Sequence, residues 1–286
     1  MTTPLKPDHE KRPFRFKLEG PFLRVSTMLL ITPISPNFKG LKCSVFGRFR
    51  ALQSRNIYGK MKVLGWQLKF ERSGDMISTK NLSGLPDVNR LKAFCKGLAA
   101  LDIIMLEKEW SFIRHYTYNP IWRKGKEAFW ATDGSEQSMI IMFTSEGCVI
   151  NGVDSELYDW EEKLPRIEDL TNGMPSALQK LMNSREVKKM KSTFCVWTED
   201  GVVWHCNPMA GEDASKDLLS MIDGNPQTYV EYGKWFYPAD LPLEVVRQLA
   251  DGVPVTKEMI VALNPKRSEW DEIKAELDEI GYLNKL

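Results

Sequence analysis

Residues 107–156 read EKEWSFIRHYTYNPIWRKGKEAFWATDGSEQSMIIMFTSEGCVINGVDSE, and this stretch decides the fold. It holds the densest run of aromatic side chains in the chain: Trp110, Phe112, Tyr116, Tyr118, Trp122, Phe129 and Trp130. Asp133-Gly134 and Glu146-Gly147 are turn dipeptides, since glycine accepts positive φ at no steric cost and an acidic neighbour closes local hydrogen bonds. They fold the apolar runs that follow them into antiparallel strands. The expected centre of the protein is therefore an antiparallel sheet.

Working outward, a second hairpin is read at residues 194–206, FCVWTEDGVVWHC. With Asp200-Gly201 as a two-residue turn, Trp197 faces Trp204 and Cys195 faces Cys206 across the ladder. Upstream, Pro86 and Asp87 suit a helix start. Leu91, Phe94, Leu98, Leu101 and Met105 recur at three- and four-residue steps, so they form one apolar stripe to lay against the sheet. Leu178, Leu181 and Met182 mark the buried face of one or two helices between the hairpins. Beyond Asp213 the punctuation is helical, with starts at Pro226, Pro242, Thr256 and Ser268 and stops at Gly224, Gly252 and Gly281.

The amino-terminal part reads differently. Residues 1–14 are rich in proline and charge and are expected to be a mobile arm. Residues 15–80 are expected to form a β-rich N-terminal domain or extension, opening with the alternation of Phe14, Phe16 and Leu18 with charged residues. Residues 71–85 are the boundary, and 86–286 the core domain. The fold class is thus α+β: an N-terminal antiparallel β-rich segment, then a mixed domain with a central antiparallel sheet and short C-terminal helices.

Composition removes some functions. Among 286 residues, 39 Lys and Arg stand against 38 Asp and Glu, which gives no global attraction for nucleic acid or an anionic membrane. The longest apolar run, residues 139–143, is far below the ~20 residues that span a bilayer. The N-terminus has no apolar signal-peptide centre. Five scattered cysteines (Cys43, Cys95, Cys148, Cys195, Cys206) without a CxxC pair favour free thiols. A cytoplasmic location is the expectation.

No HExxH, GxSxG, P-loop or Cys/His metal spacing is present, so no metal and no cofactor is expected. Two constellations stay in view. Arg114, Tyr116, Tyr118, Asn119, Trp122 and Asp154 combine aromatic walls, an amide and charges, the residue types that bind a partner. Glu109 and Glu156, with Glu107 and Asp154 nearby, could instead supply the acid and base of a hydrolase if their surroundings separated their pKa values. Solvated strand ends explain the same carboxylates more simply, and a packed sheet explains the aromatics. The basic clusters at 123–126 and 185–191 read as solvated faces.

The order LAALDIIM, Glu109-Trp110, YTYN at 116–119, Trp122, DGS at 133–135, FTSEG at 143–147, TFCVW at 193–197, ALNP and EIGY resembles a bacterial protein family to which no reaction is assigned. The resemblance runs from Leu98 to Leu283 and implies a compact bacterial α+β domain. Members of that family commonly carry an Asp-His-Glu-like tripeptide where this chain has Asp154-Ser155-Glu156, so any role of that histidine is missing here. Taken together, the expected function is a protein-binding module of a bacterial cytoplasmic protein, in concrete form an immunity or antitoxin protein that neutralises a toxin. The alternative is the carboxylate hydrolase.

Overall fold

The turn residues of the central stretch do fold it into an antiparallel sheet. The computed structural model describes residues 76–286, except 135, 158–163, 238 and the side chains of Glu156 and Trp235. The mobile arm and the β-rich segment expected before residue 76 lie outside the described residues. Six strands follow one another in sequence order across one sheet: β1 (Tyr116–Arg123), β2 (Lys126–Thr132), β3 (Gln137–Thr144), β4 (Gly147–Asp154), β5 (Phe194–Thr198) and β6 (His205–Cys206). Thr144 pairs with Gly147, so Ser145 and Glu146 form the tight turn and Gly147 opens β4 with φ +131°. Any Cβ there would come within 2.1 Å of the Thr198 carbonyl oxygen, which reserves the position for glycine.

The pleat sorts the side chains onto two buried faces. Tyr118, Phe129, Ile141, Ile150 and Val196 share one register row, and Tyr116, Ala131, Met139, Gly152 and Phe194 the next. Helix α1 (Val88–Met105) packs against this face, capped by the Asp87 side chain accepting from the Arg90 amide. The expected stripe of Leu91, Phe94, Leu98, Leu101 and Met105 is buried, as are Cys95, Ala99, Ala100, Ile103 and Ile104. Gly97 lets α1 meet the backbone behind it, since a Cβ would stand 2.6 Å from the Leu249 carbonyl oxygen.

The opposite face holds Ala128, Ile140, Met142, Val149, Cys195 and Trp197. It is covered by α2 (Ile167–Leu170), α3 (Ser176–Met182) and α4 (Arg185–Met190), whose Leu178, Leu181 and Met182 point inward as expected. After α5 (Ser215–Ser220) the chain continues as α6 (Pro226–Phe236), α7 (Leu243–Ala250), α8 (Lys257–Leu263) and α9 (Trp270–Glu279). Asn225 and Thr256 cap α6 and α8, while Gly252 and Gly281 leave their helices with positive φ.

One expectation is corrected, and the boundary segment gains detail. The described part of the 71–85 segment is packed structure: Ile77 and Leu85 are buried, and the amide of the buried Thr79 donates to the Ser215 hydroxyl at 3.0 Å. The second hairpin is slipped by one residue, with Trp197 opposite His205 and Val196 opposite Cys206. The cause is a longer loop. Asp200 accepts both the Val202 and Val203 amides at 2.8 Å, and the Gly201 carbonyl accepts the Val88 amide at the start of α1 at 2.8 Å. A one-residue slip changes every cross-strand partner, so Trp204 leaves the pair and donates its indole N–H to the Pro86 carbonyl at 2.9 Å. Cys195 and Cys206 are free thiols, and Cys206 stands opposite Val196.

The two tryptophans should accordingly differ. Trp197→Ala is expected to lower stability by about 3 kcal/mol or more, the usual penalty for emptying a buried aromatic site. The half-buried Trp204 should cost less on truncation. Urea denaturation of both variants checks the order, and an equal loss would contradict the observed register.

Candidate binding surface

Helix α1 ends in a region where the backbone would be left with unsatisfied carbonyls, because the last turn of any helix lacks intrahelical donors. Here each is supplied from elsewhere. The Arg267 guanidinium donates to the Ile103 carbonyl at 3.3 Å, Asn264 donates to Met105 at 3.2 Å, and Arg114 Nη2 donates to Leu106 at 2.9 Å. Both guanidinium groups also complement the negative end of the helix dipole. Arg114 is held in turn by a two-pronged pair with Glu276, at 2.8 and 3.0 Å, with both side chains buried.

One turn earlier on the same helix sits Asp102, fully buried. Its carboxylate accepts four hydrogen bonds, from the His115 amide (2.8 Å), the Tyr116 amide (2.9 Å) and the hydroxyls of Tyr229 and Tyr237 (both 3.0 Å). A carboxylate offers about four acceptor sites, so none is left for a substrate. Around it Tyr116 lies 5.9 Å from Tyr229 and 5.7 Å from Tyr232 between ring centroids, and His115 lies 4.3 Å from Phe236. Burial pushes the Asp102 carboxyl up to about 6, against the pull of the Tyr116 amide, the two tyrosines and the His115 amide. The arrangement fixes backbone; it does not present a reactive group.

That pKa carries a sign. Because the folded value lies above the unfolded one, the folded state holds more protons between pH about 4 and 6, and ionising Asp102 works against folding. Its contribution is most favourable below the unfolded pKa and is lost as pH rises through about 6, by about 3 kcal/mol in all. Wild type minus Asp102→Asn, measured by chemical denaturation from pH 4 to 7, should show this decline. A difference that stays flat would refute it.

Between the two clamped ends lies a 3₁₀ turn, Lys108–Ile113, in which no residue is buried. Trp110 is 43% exposed, Phe112 69% and Ile113 39%. The two rings stand 5.9 Å apart. The turn is nevertheless tied at every stage: Leu106 N–H to the Asp102 carbonyl (3.0 Å), Trp110 N–H to Glu107 (2.9 Å), Arg114 N–H to Ser111 (3.2 Å), then the two amides on the Asp102 carboxylate. Glu107 and Glu109 flank the rings. Partial burial and a hydrogen bond with Glu109 hold the Glu107 carboxyl above its ordinary value, with Arg267 acting in the opposite sense.

The residues expected to bind a partner are distributed otherwise. Arg114 is part of the clamp. Tyr116 and Tyr118 are core residues, which corrects their reading as open walls: two-residue alternation puts both on the face that α1 covers, and Tyr118 donates its hydroxyl to Glu127 at 2.6 Å. Asn119 closes a local turn by accepting the Ile121 amide at 2.9 Å. Trp122 packs its ring on the methionine-rich face, with the Arg123 guanidinium 4.7 Å from the ring centroid. Asp154 is buried and accepts from the Gln137 amide at 2.7 Å.

Glu109 is exposed on the 3₁₀ turn, and the Glu156 side chain lies outside the described residues. Glu109 lies on the turn before β1 and Glu156 follows β4, strands that stand three spacings apart in the sheet, roughly 14 Å. Among the described residues, no three His, Cys, Asp or Glu side chains converge as metal ligands would. Nor is any helix there long and apolar enough to cross a membrane.

Asp102 and the tyrosines of α6 escaped the sequence reading. The available signal was an acid placed inside the apolar stripe, four residues after Leu98 and three before Met105. No family model, curated protein or solved structure matches the chain, and the resemblance to a bacterial family gains no support from these comparisons.

Proposed function

We propose that this protein works by binding another protein through the turn Lys108–Ile113. One observation carries the reading: polar clamps anchor both flanks of the turn, at Leu106 and at Arg114–Tyr116, while Trp110, Phe112 and Ile113 face water. A segment normally gains its order by burying its own apolar side chains, because ordering each residue costs about 1–2 kcal/mol of backbone entropy. Here Asp102, Arg114 and Glu276 fix the flanks of the turn, and the apolar groups stay available. Such pre-ordering lowers the entropic cost of association, and tryptophan is the residue type that most often dominates interface energy. An immunity or antitoxin role, with a toxin as the partner, is the concrete form carried forward.

The reading is tested by photo-crosslinking. Benzoylphenylalanine placed at Phe112 should trap a partner in cells of the source organism, whereas the same group at Val203, also exposed but far along the chain, should not. Trapping of the same partner equally at both positions would remove the assignment of this surface.

A further inference from the structure

Resting on the binding role proposed for the Lys108–Ile113 turn, we propose that its partner presents an apolar pocket or ridge rimmed by lysine and arginine, and is neither a second copy of this chain nor an anionic surface. The turn has an acidic surround. Glu107 and Glu109 are both exposed at the start of the turn, two residues apart in sequence, and Glu269 lies close enough to act on Glu107. Glu272 accepts the Lys108 amide at 3.4 Å. Glu269 and Glu272 both reach Arg267, at 3.2 and 3.8 Å, but that guanidinium is buried and also donates to the end of α1. Its charge is spent inward. The carboxylates are the partly exposed members of these pairs, and exposed Asp271 adds another beside them. Lys108, Lys257 and Lys266 are exposed cations near these positions, Lys257 lying 5.5 Å from the Trp270 ring centroid, while Lys274 pairs with Asp278; the acids Glu107, Glu109, Glu269, Asp271 and Glu272 still outnumber the first three around the aromatic patch.

This surround selects among occupants. A second copy docking symmetrically would bring carboxylates against carboxylates as water left the interface, and like charges so placed cost several kcal/mol. Phosphate backbones and anionic headgroups meet the same repulsion. A basic rim is attracted at long range and pairs at the edge, while Trp110 and Phe112 supply the desolvated centre. Rim charges act mainly on the association rate and on its salt dependence.

The test uses two fluorescein-labelled synthetic helical peptides with the same leucine and tryptophan face, one flanked by lysines and the other by glutamates, and reads anisotropy with the full chain. The lysine peptide should bind at least tenfold more tightly at low salt, and the ratio should fall below about threefold in 0.5 M salt or in Glu107→Gln/Glu109→Gln. Trp110→Ala/Phe112→Ala should abolish binding of both. Equal binding of the two peptides, or preference for the glutamate peptide, overturns the charge assignment while loss in Trp110→Ala/Phe112→Ala upholds the docking surface. Lysine-peptide binding that survives Trp110→Ala/Phe112→Ala overturns the docking surface itself, and no binding of either peptide at millimolar concentration overturns both.

Discussion

Asp102→Leu should lower stability by about 4 kcal/mol or more and the melting temperature by about 10 °C or more. The substitution is close in size and suits a helix, so neither volume nor helix propensity accounts for a loss on that scale. The loss comes from the four donors that converge on the carboxylate: two backbone amides at the entry to β1 and two tyrosine hydroxyls behind α1. Each buried donor left without an acceptor costs about 1–3 kcal/mol, less where relaxation finds a substitute. Domain stabilities are about 5–15 kcal/mol, so a substantial fraction of the molecules should unfold at moderate temperature. Asp102→Asn keeps acceptor capacity and should lose much less. Equal melting temperatures for wild type and Asp102→Leu would mean that this carboxylate does not hold β1 to α1.

The opposite signature is expected at the turn. Trp110→Ala/Phe112→Ala should leave the melting temperature within a few degrees of wild type, because exposed side chains away from special features seldom matter to folding. Partner affinity should fall by about 10²–10³-fold, since central aromatic anchors are commonly worth 2 kcal/mol or more each. Titration calorimetry with the crosslinked partner measures it. Tyr116→Ala gives the reverse pattern, an unstable protein whose folded fraction still binds, because its ring belongs to the core. A binding loss of less than threefold in the Trp110→Ala/Phe112→Ala protein would end the proposed role of the turn.

The sheet was legible because its information is local. Turn residues at 133–134 and 146–147 and the apolar runs between them act within a few residues of one another, and the period of α1 is likewise written in its own sequence. The helix starts at Asn225 and Thr256 were equally readable, since a cap acts on the next two or three amides.

What failed was whatever depended on a distant element. The hairpin at 194–206 reads as a two-residue turn by itself, and only the Val88 amide, more than 100 positions away in sequence, shows why its loop is longer. The two-residue spacing of Tyr116 and Tyr118 puts both on one side of β1, but which side α1 covers is not contained in YTYN. The same ignorance hid the exposure of Trp110 and Phe112, which look in sequence like any other aromatic pair. Glu276 and Arg267, which hold the turn from beneath, lie about 160 residues from the α1 atoms and Arg114 that they serve.

Amide hydrogen exchange of the free chain and of its complex with the crosslinked partner tests the central claim most directly. The free chain should already protect the Arg114, His115 and Tyr116 amides, which are hydrogen-bonded in the clamp. The complex should add protection at residues 107–113 and at the adjoining acidic segment 269–272. Fast exchange of His115 and Tyr116 in the free chain, or new protection confined to another surface such as the 199–204 loop, would contradict it.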